Sequence, residues 1–213
     1  MISTNESYAP QVAVCIPNYN YGSFIGRCIE SVLNQTYKSF QIIISDNAST
    51  DESDRMIKKY AGDKRIHYIR QSKPISMVDN WRACIRAGSA PYAILLSSDD
   101  YLKSTMIERC MSALIMDKEI ALCHTAVECV NDNGKVITTT GAFTPSYVKE
   151  GCSLIKQFIL GKRMCNSSVV FKRSCFDEIG GWSDDYKICV DLDLWFRMLI
   201  RWKVAYIGGS TKY

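Results

Sequence analysis

A single-domain α/β fold, with a mostly parallel central sheet covered by helices on both faces, is the architecture this sequence predicts. Three observations carry the prediction. Short apolar runs rich in β-branched residues recur through the first half of the 213 residues, amphipathic segments with helical spacing separate them, and the runs end on polar or acidic residues. Strands alternating with helices at this spacing imply right-handed βαβ crossovers, which lay the strands parallel and bury both faces of the sheet.

The polar segment 1–11 is expected to be flexible, leaving 12–213 as the domain. Residues 12–16 (Val-Ala-Val-Cys-Ile) read as a buried strand that stops at Pro17. Ser23 then precedes Ile25, Cys28, Ile29, Val32 and Leu33 at helical spacing. A second strand over 41–45 ends at Asp46, and Ser49-Thr50-Asp51-Glu52 has the capping-box pattern expected to start a helix through Tyr60. Residues 66–69 form a third strand, and a helix over 77–87 closes at Gly88. Residues 92–96 form a fourth strand that runs into Ser97-Ser98-Asp99-Asp100, with a helix over 104–116 after it.

Beyond residue 103 the pattern changes. Segments 121–130 and 135–139 flank Asn131-Asp132-Asn133-Gly134, a cluster suited to a hairpin-like turn. Residues 167–172 add a strand, Gly180-Gly181-Trp182 a turn, and 191–202 a helix with Leu192, Trp195, Phe196 and Leu199 on one face. No internal repeat, low-complexity tract or interdomain linker interrupts the chain.

A hydrophobic share of 47% and a charged share of 23% are those of an ordinary globular protein and exclude a disordered or collagen-like chain. No apolar run reaches the roughly 18 to 20 residues of a membrane span, and segment 1–11 has no signal-peptide core, so a cytoplasmic protein is expected. Ten cysteines without a C-x-x-C pair, among them Cys15, Cys28, Cys84, Cys123 and Cys189 inside apolar segments, read as buried reduced thiols. The net charge of +4 is spread over scattered basic pairs, which argues against a nucleic-acid face and leaves a weak attraction to an anionic membrane surface.

In an open α/β sheet, ligands bind outside the carboxyl ends of the strands. Pro17-Asn18-Tyr19-Asn20, Asp46-Asn47, Lys73-Pro74 and Asp99-Asp100 fall there. The adjacent pair Asp99-Asp100 suits Mg²⁺ or Mn²⁺, which take one or two carboxylates plus substrate phosphates; the same acids would serve equally as an N-cap of the following helix. Asp46 reads either as a turn residue or as an acceptor for a base or ribose, and Tyr19 as a stacking platform or a loop aromatic. Asp191, at the start of a helix, is either a general base or a carboxylate placed by the helix dipole, and Asp193 competes with it. His67 and His124, in strands, read as structural. No Walker A, G-x-S-x-G or G-x-G-x-x-G pattern is present.

Taken in order, Val14-Cys15-Ile16-Pro17-Asn18-Tyr19-Asn20, Ser31-Val32-Leu33-Asn34-Gln35-Thr36-Tyr37, Ile44-Ser45-Asp46-Asn47-Ala48-Ser49-Thr50-Asp51, Leu95-Leu96-Ser97-Ser98-Asp99-Asp100, and Gly180-Gly181-Trp182 through Asp191-Leu192-Asp193-Leu194-Trp195 resemble the motifs of family 2 glycosyltransferases. The resemblance implies a GT-A (Rossmann-like) fold and inverting transfer of a sugar from a nucleotide-sugar donor, a UDP-sugar first, to a hydroxyl of a glycan or lipid-linked acceptor in bacterial surface polysaccharide synthesis. It makes 12–103 the nucleotide-binding half and 104–213 the acceptor-side half. Pro17, Asn18, Tyr19, Asn20, Asp46 and Asn80 would face the nucleotide-sugar. Asp99 would be a ribose or metal-side contact, Asp100 the direct ligand of Mn²⁺ or Mg²⁺, Asp191 the catalytic base, and Trp182 and Asp184 acceptor-side residues. A lipid-linked acceptor would bring the chain to the inner face of the cell membrane as a peripheral protein.

Three departures from the family pattern stand out. Ser97 occupies the place of an acid of the DXD-type motif, Val190 rather than Glu precedes Asp191, and the sequence stops at Tyr213, where the family often continues with a histidine metal ligand and acceptor-shaping helices. A shortened chain is therefore expected. Two other readings are a non-catalytic nucleotide-sugar-binding module and a sugar nucleotidyltransferase; the latter usually carries a Gly-rich basic loop after its first strand, where this chain has Pro17-Asn18-Tyr19-Asn20-Tyr21-Gly22.

Overall fold

A computed structural model describes residues 9–131, 133–140, 145–161, 164–186 and 188–208. The first half is four βα steps: β1 Val12–Asn18, α1 Gly22–Leu33, β2 Phe40–Asp46, α2 Ser53–Lys58, β3 Ile66–Arg70, α3 Met77–Ala87, β4 Tyr92–Leu95 and α4 Met106–Met116. The second half adds β5 Ile120–Thr125, β6 Val127–Val130, β7 Val136–Thr140, β8 Tyr147–Glu150, α5 Ile155–Ile159, β9 Val169–Lys172, α6 Arg173–Glu178, α7 Val190–Arg201 and β10 Lys203–Ile207.

Eight strands form one sheet in the order β3-β2-β1-β4-β9-β5-β10-β8. The pairs β2–β3, β1–β2, β1–β4 and β5–β10 are parallel, while β9 runs antiparallel to both β4 and β5 and β8 antiparallel to β10. Strand order reverses at β1, which lies between β2 and β4, so the crevice at the carboxyl ends of β1 and β4 is the switch point where such sheets take ligands.

Alternation along each strand divides the core. Val12, Val14 and Ile16 of β1 join Ile25, Cys28, Ile29 and Val32 of α1 and Ile107, Cys110, Met111 and Leu114 of α4. Ala13 and Cys15 face the other way, into a cluster with Cys84 and Ile85 of α3 and Leu194, Trp195, Met198 and Leu199 of α7. Helices therefore cover both faces, as the sequence pattern requires.

Several local expectations are corrected. The capping box at Ser49 does not form: α2 starts at Ser53, and Ser49 turns back to Asp46 while Asp51 accepts from the Ser53 and Gly22 amides. Gly88 ends α3 in extended, not left-handed, backbone (φ −81°); it is small because a Cβ there would stand 3.0 Å from the Ala13 Cβ. The strand over 121–130 breaks at Ala126 into β5, in the main sheet, and β6, which pairs only with β7 in a separate ribbon. That ribbon is the expected hairpin, with Gly134 at φ +75° and Asn131 Oδ1 accepting from the Asn133 and Lys135 amides; Asp132 lies outside the described residues. On α7, Leu192 is exposed, and Leu194 and Met198 take the buried positions beside Trp195 and Leu199. Cys189 is exposed, whereas Cys15, Cys28, Cys84 and Cys123 are buried free thiols as expected. Strands β8 and β10, both unanticipated, complete the far edge. Among the described residues no helix is long and apolar enough to cross a membrane.

Candidate functional site at the carboxyl rim

The first wall of the crevice is a buried polar network where β1 and β2 end. Asn18 and Asp46 are register partners, and Asn18 Nδ2 donates to Asp46 Oδ1 at 2.9 Å. The Ser49 hydroxyl also donates to Oδ1, while Oδ2 accepts from the Ser49 amide (3.2 Å) and pairs with Arg70 Nη1 (3.2 Å). Asp46 is wholly buried, so a carboxylate that would be costly in isolation is compensated on both oxygens, and it fixes the two loops rather than presenting a free oxygen. Asn20, in left-handed backbone (φ 58°), accepts from the Thr50 amide at 2.8 Å and gives its own amide to Ser49 Oγ at 2.9 Å. Pro17 is half-buried, and Tyr19 projects, 48% exposed, from a loop held on both sides. Asn18 Oδ1 is buried with no partner among the described residues. Asn80 is buried one layer below, exchanging hydrogen bonds with Ser45 Oγ (2.7 Å) and Ser45 O (3.0 Å).

The second wall is the loop after β4. Asp99 and Asp100 are exposed, and the Asp100 amide closes a turn onto Ser97 O at 3.0 Å. No side chain among the described residues bonds to or pairs with Asp99. Asp100 Oδ2 accepts from the Ser167 hydroxyl at 2.5 Å, and Ser167 Oγ accepts from the Ser97 amide at 3.1 Å. Partial burial of this inward-facing carboxyl raises its pKa, and the charge of Asp99 adds to the rise against the Ser167 hydrogen bond. The loop is braced from below by α1. Gln35, fully buried, donates to Ser31 O and Lys103 O and accepts from the Ile107 amide at 3.1 Å, and Ser31 Oγ accepts from the Leu102 amide at 3.0 Å. Gln35, and not the acid pair, therefore satisfies an amide in the first turn of α4, and the N-cap alternative for Asp99-Asp100 falls away.

The second half of the chain supplies the remaining candidate residues. Asp191 and Asp193 both lie in the first turn of α7, but they are not equivalent. Asp193 is locked in a two-pronged pair with Arg197 (2.6 and 2.9 Å), which also donates to Ile179 O and Gly181 O. Asp191 has no hydrogen-bond or ion-pair partner among the described residues. Burial raises the Cys165 thiol pKa, a bond to Thr140 opposes it, and the charges of Asp100, Cys129 and Asp191 push it further up. Trp182 is not on the rim: it is 2% exposed and packs edge-on against Phe176 and Trp81, with ring centroids at 4.9 and 5.4 Å. Asp184 is exposed and pairs with Arg82 Nη2 at 2.7 Å.

A model of the family described as glycosyl transferase family 2 matches residues 13–180, from the start of β1 through the end of α6. The chain belongs to that family. Among curated relatives, a chondroitin synthase of Escherichia coli is 28% identical over 191 residues, 89% of this chain and 26% of that protein. A hyaluronan synthase of Pasteurella multocida is 33% identical over 145 residues, 66% of this chain and 14% of that protein. The family 2 chain thus spans about a quarter or less of the length of these relatives. Its fold is GT-A. The crystal structure of S. aureus TarS 1-349 in complex with UDP superposes with a TM-score of 0.75 at 13% identity, over 94% of this chain and 58% of that one. A mannosyltransferase from Pyrobaculum calidifontis in complex with GDP-Man and Mn²⁺ gives 0.67 at 14% identity, over 97% of this chain and 59% of that one.

Three participants were missed in the sequence. Ser49 and Arg70 were passed over because a hydroxyl in a turn and an arginine at a strand end have ordinary surface uses. Ser167 lies 70 residues from Ser97, and only the antiparallel docking of β9 beside β4 brings it to the acidic loop; the polar stretch Asn166-Ser167-Ser168 before an apolar run was its single hint.

Proposed function

We propose that the family 2 chain transfers a sugar, with inversion, from a UDP-sugar to a hydroxyl of a glycan or lipid-linked acceptor, in the synthesis of a surface polysaccharide. The observation that carries the reading is the acidic loop at the carboxyl end of β4, where Asp99 has no partner among the described residues and Asp100 Oδ2 is held by the Ser167 hydroxyl; Asp191, in the first turn of α7 and likewise without a partner among them, is the carboxylate left for an acceptor. The presence of UDP and of GDP-Man with Mn²⁺ in the two structural neighbours supports a nucleotide-sugar in that crevice.

The roles follow from position. Tyr19 offers an exposed ring to the base, and the buried Asn18–Asp46–Ser49 network holds the loop that carries it. Asp99 and Asp100 would hold Mn²⁺ or Mg²⁺. The fit is chemical: two hard carboxylates are adjacent on one loop, Asp99 without a partner among the described residues and its charge helping to raise the Asp100 pKa, a repulsion that a cation would relieve. Among the described residues no three His, Cys, Asp or Glu side chains form a metal cluster, and a Mg²⁺ or Mn²⁺ held by one or two carboxylates would take its further ligands from the donor's phosphates. A bound divalent cation supplies Lewis-acid stabilisation to the leaving diphosphate. Asp191 accepts the proton of the acceptor hydroxyl as its oxygen bonds to the anomeric carbon; the carbon–phosphate-oxygen bond breaks on the opposite side and its electron pair leaves with the diphosphate. A lipid-linked acceptor would place this chemistry at a membrane surface.

The test is calorimetry with UDP, with and without Mn²⁺, joined to a transfer assay. Mn²⁺ should tighten UDP binding, Asp100→Ala should abolish the enhancement, and Asp191→Asn should keep donor binding while losing at least about a hundredfold in turnover, the scale of general-base catalysis. Equal loss of donor affinity in Asp191→Asn would sink its assignment. The buried Val190, where the family pattern has an acid, favours one rival, a module that binds the donor without turning it over; metal-enhanced UDP binding with no transfer to any glycan acceptor would select it.

A further inference from the structure

We infer that Ser167 is a positioning residue for the metal-side carboxylate: its hydroxyl fixes the orientation of Asp100, and so sets how tightly the acidic loop takes a divalent cation together with a nucleoside diphosphate. The inference rests on the reading of Asp100 as a metal ligand and adds a residue from the second half of the chain to that site.

The geometry is directional. The Ser97 amide donates to Ser167 Oγ at 3.1 Å, which occupies an acceptor lone pair and leaves the hydroxyl proton to point elsewhere. It points to Asp100 Oδ2, 2.5 Å away. One end of the relay is thus main chain of the acidic loop and the other is the carboxylate on that loop, so Ser167 clamps the turn across itself. With Oδ2 committed, Oδ1 is the oxygen left for a cation. Ser167 is itself held: it is 9% exposed and lies in the short turn Asn166–Ser168, directly before β9, whose Val169, Val170 and Phe171 are fully buried. A side chain hung on a packed strand aims more reliably than one on a free loop. Carboxylates that bind metals are commonly oriented by such outer hydrogen bonds, and their removal typically costs tenfold to a hundredfold in metal affinity.

Ser97, in the place of an acid of the family pattern, serves the loop through its main chain. What the loop uses at Ser97 is its backbone, the amide to Ser167 and the carbonyl that accepts from the Asp100 amide and the Cys28 thiol.

Calorimetry of the full chain with UDP, with and without Mn²⁺, decides the matter for wild type, Asp100→Ala, Ser167→Ala and Ser167→Thr, with thermal melts alongside. The expected result is that Ser167→Ala weakens Mn²⁺-dependent UDP binding about tenfold or more, leaves metal-free UDP binding unchanged, and melts within a few degrees of wild type, while Ser167→Thr, which keeps the hydroxyl, recovers most of the affinity. Ser167→Ala binding Mn²⁺ and UDP as wild type does, while Asp100→Ala does not, would overturn the role of Ser167 and leave that of Asp100 standing. Equal losses in the Ala and Thr variants would assign the position to packing and overturn it too. If Mn²⁺ fails to enhance UDP binding in wild type, the metal reading itself is wrong and this inference goes with it.

Discussion

Asp191 and Asp193 are two residues apart in the same helical turn and chemically identical, yet the fold gives them different work. Asp193 spends its carboxylate on Arg197, which in turn holds the backbone of the Gly180-Gly181 turn, so this pair ties α7 to the end of α6. Asp193→Asn should therefore lower stability by about 1 kcal/mol, as expected for a partly exposed pair, and leave the chemical step unchanged. Denaturant titration and single-turnover transfer measure the two quantities separately; a turnover defect as deep as that of Asp191→Asn would exchange the assignments. In the sequence the two acids were indistinguishable, because their difference lies in where Arg197 reaches and not in their own spacing. The same holds for Asp46, legible as a rim carboxylate but not as one whose every oxygen is already taken.

At the scale of elements, the segment Ser31–Tyr37 shows what a motif without chemistry is for. Ser31 and Gln35, at the end of α1, bond the backbone at Leu102, Lys103 and Ile107, and Thr36 bonds Ser104 O and Glu108, so α1 carries the loop that follows β4. Gln35→Ala would leave the Ile107 amide without its acceptor, while the Lys103 carbonyl keeps the Met106 amide. A loss of about 2 kcal/mol is expected, with Mn²⁺-dependent UDP binding falling in step as the acidic loop loosens. Chemical denaturation would refute this if the variant lay within about half a kcal/mol of wild type. The parallel strands β1, β2 and β4 were legible because strands buried on both faces read as continuous apolar runs. By contrast β8 is exposed along nearly its whole length, which left neither a period nor an apolar run to find, and β7, exposed throughout, was legible from the turn cluster before it. Strand β10 was hidden for another reason: it is only five residues long, and a single residue, Trp202, separates it from α7, so no turn signal marks its start.

For the molecule as a whole, the junction of β5, β8 and β10 holds a buried titratable group. His124 lies among the rings of Tyr147, Tyr206 and Phe158, with Nε2 3.1 Å from Tyr147 Oη, and burial pushes its pKa down to about 3 from 6.5, against the opposing effect of a hydrogen bond to the backbone at Thr125. A histidine depressed in the folded state contributes stability that is complete above the unfolded value near 6.5 and is lost as pH falls from there toward about 3, because the unfolded chain takes up the proton first. The far edge of the sheet should therefore be acid-labile, by an amount on the order of a few kcal/mol between neutrality and pH 4. His124→Gln, which cannot titrate, should flatten the melting temperature between pH 7 and pH 5 even if its absolute stability is lower. An undiminished slope would show that other groups govern the acid response.

The sequence by itself determined the alternation of strand and helix through the first half, the parallel sheet that alternation implies, and the acidic and polar residues placed at the strand ends. These are local properties: apolar period, turn chemistry and motif order are all written within a few tens of residues. Only the tertiary structure decided which carboxylates are spent on the scaffold and which remain open, that β9 enters the sheet antiparallel, and that Ser167 meets Asp100. Each of those depends on a contact between side chains distant in sequence or on the reach of a single arginine, and the free energy that selects it is a difference between burial and hydrogen bonding that exists only once the two halves have packed together.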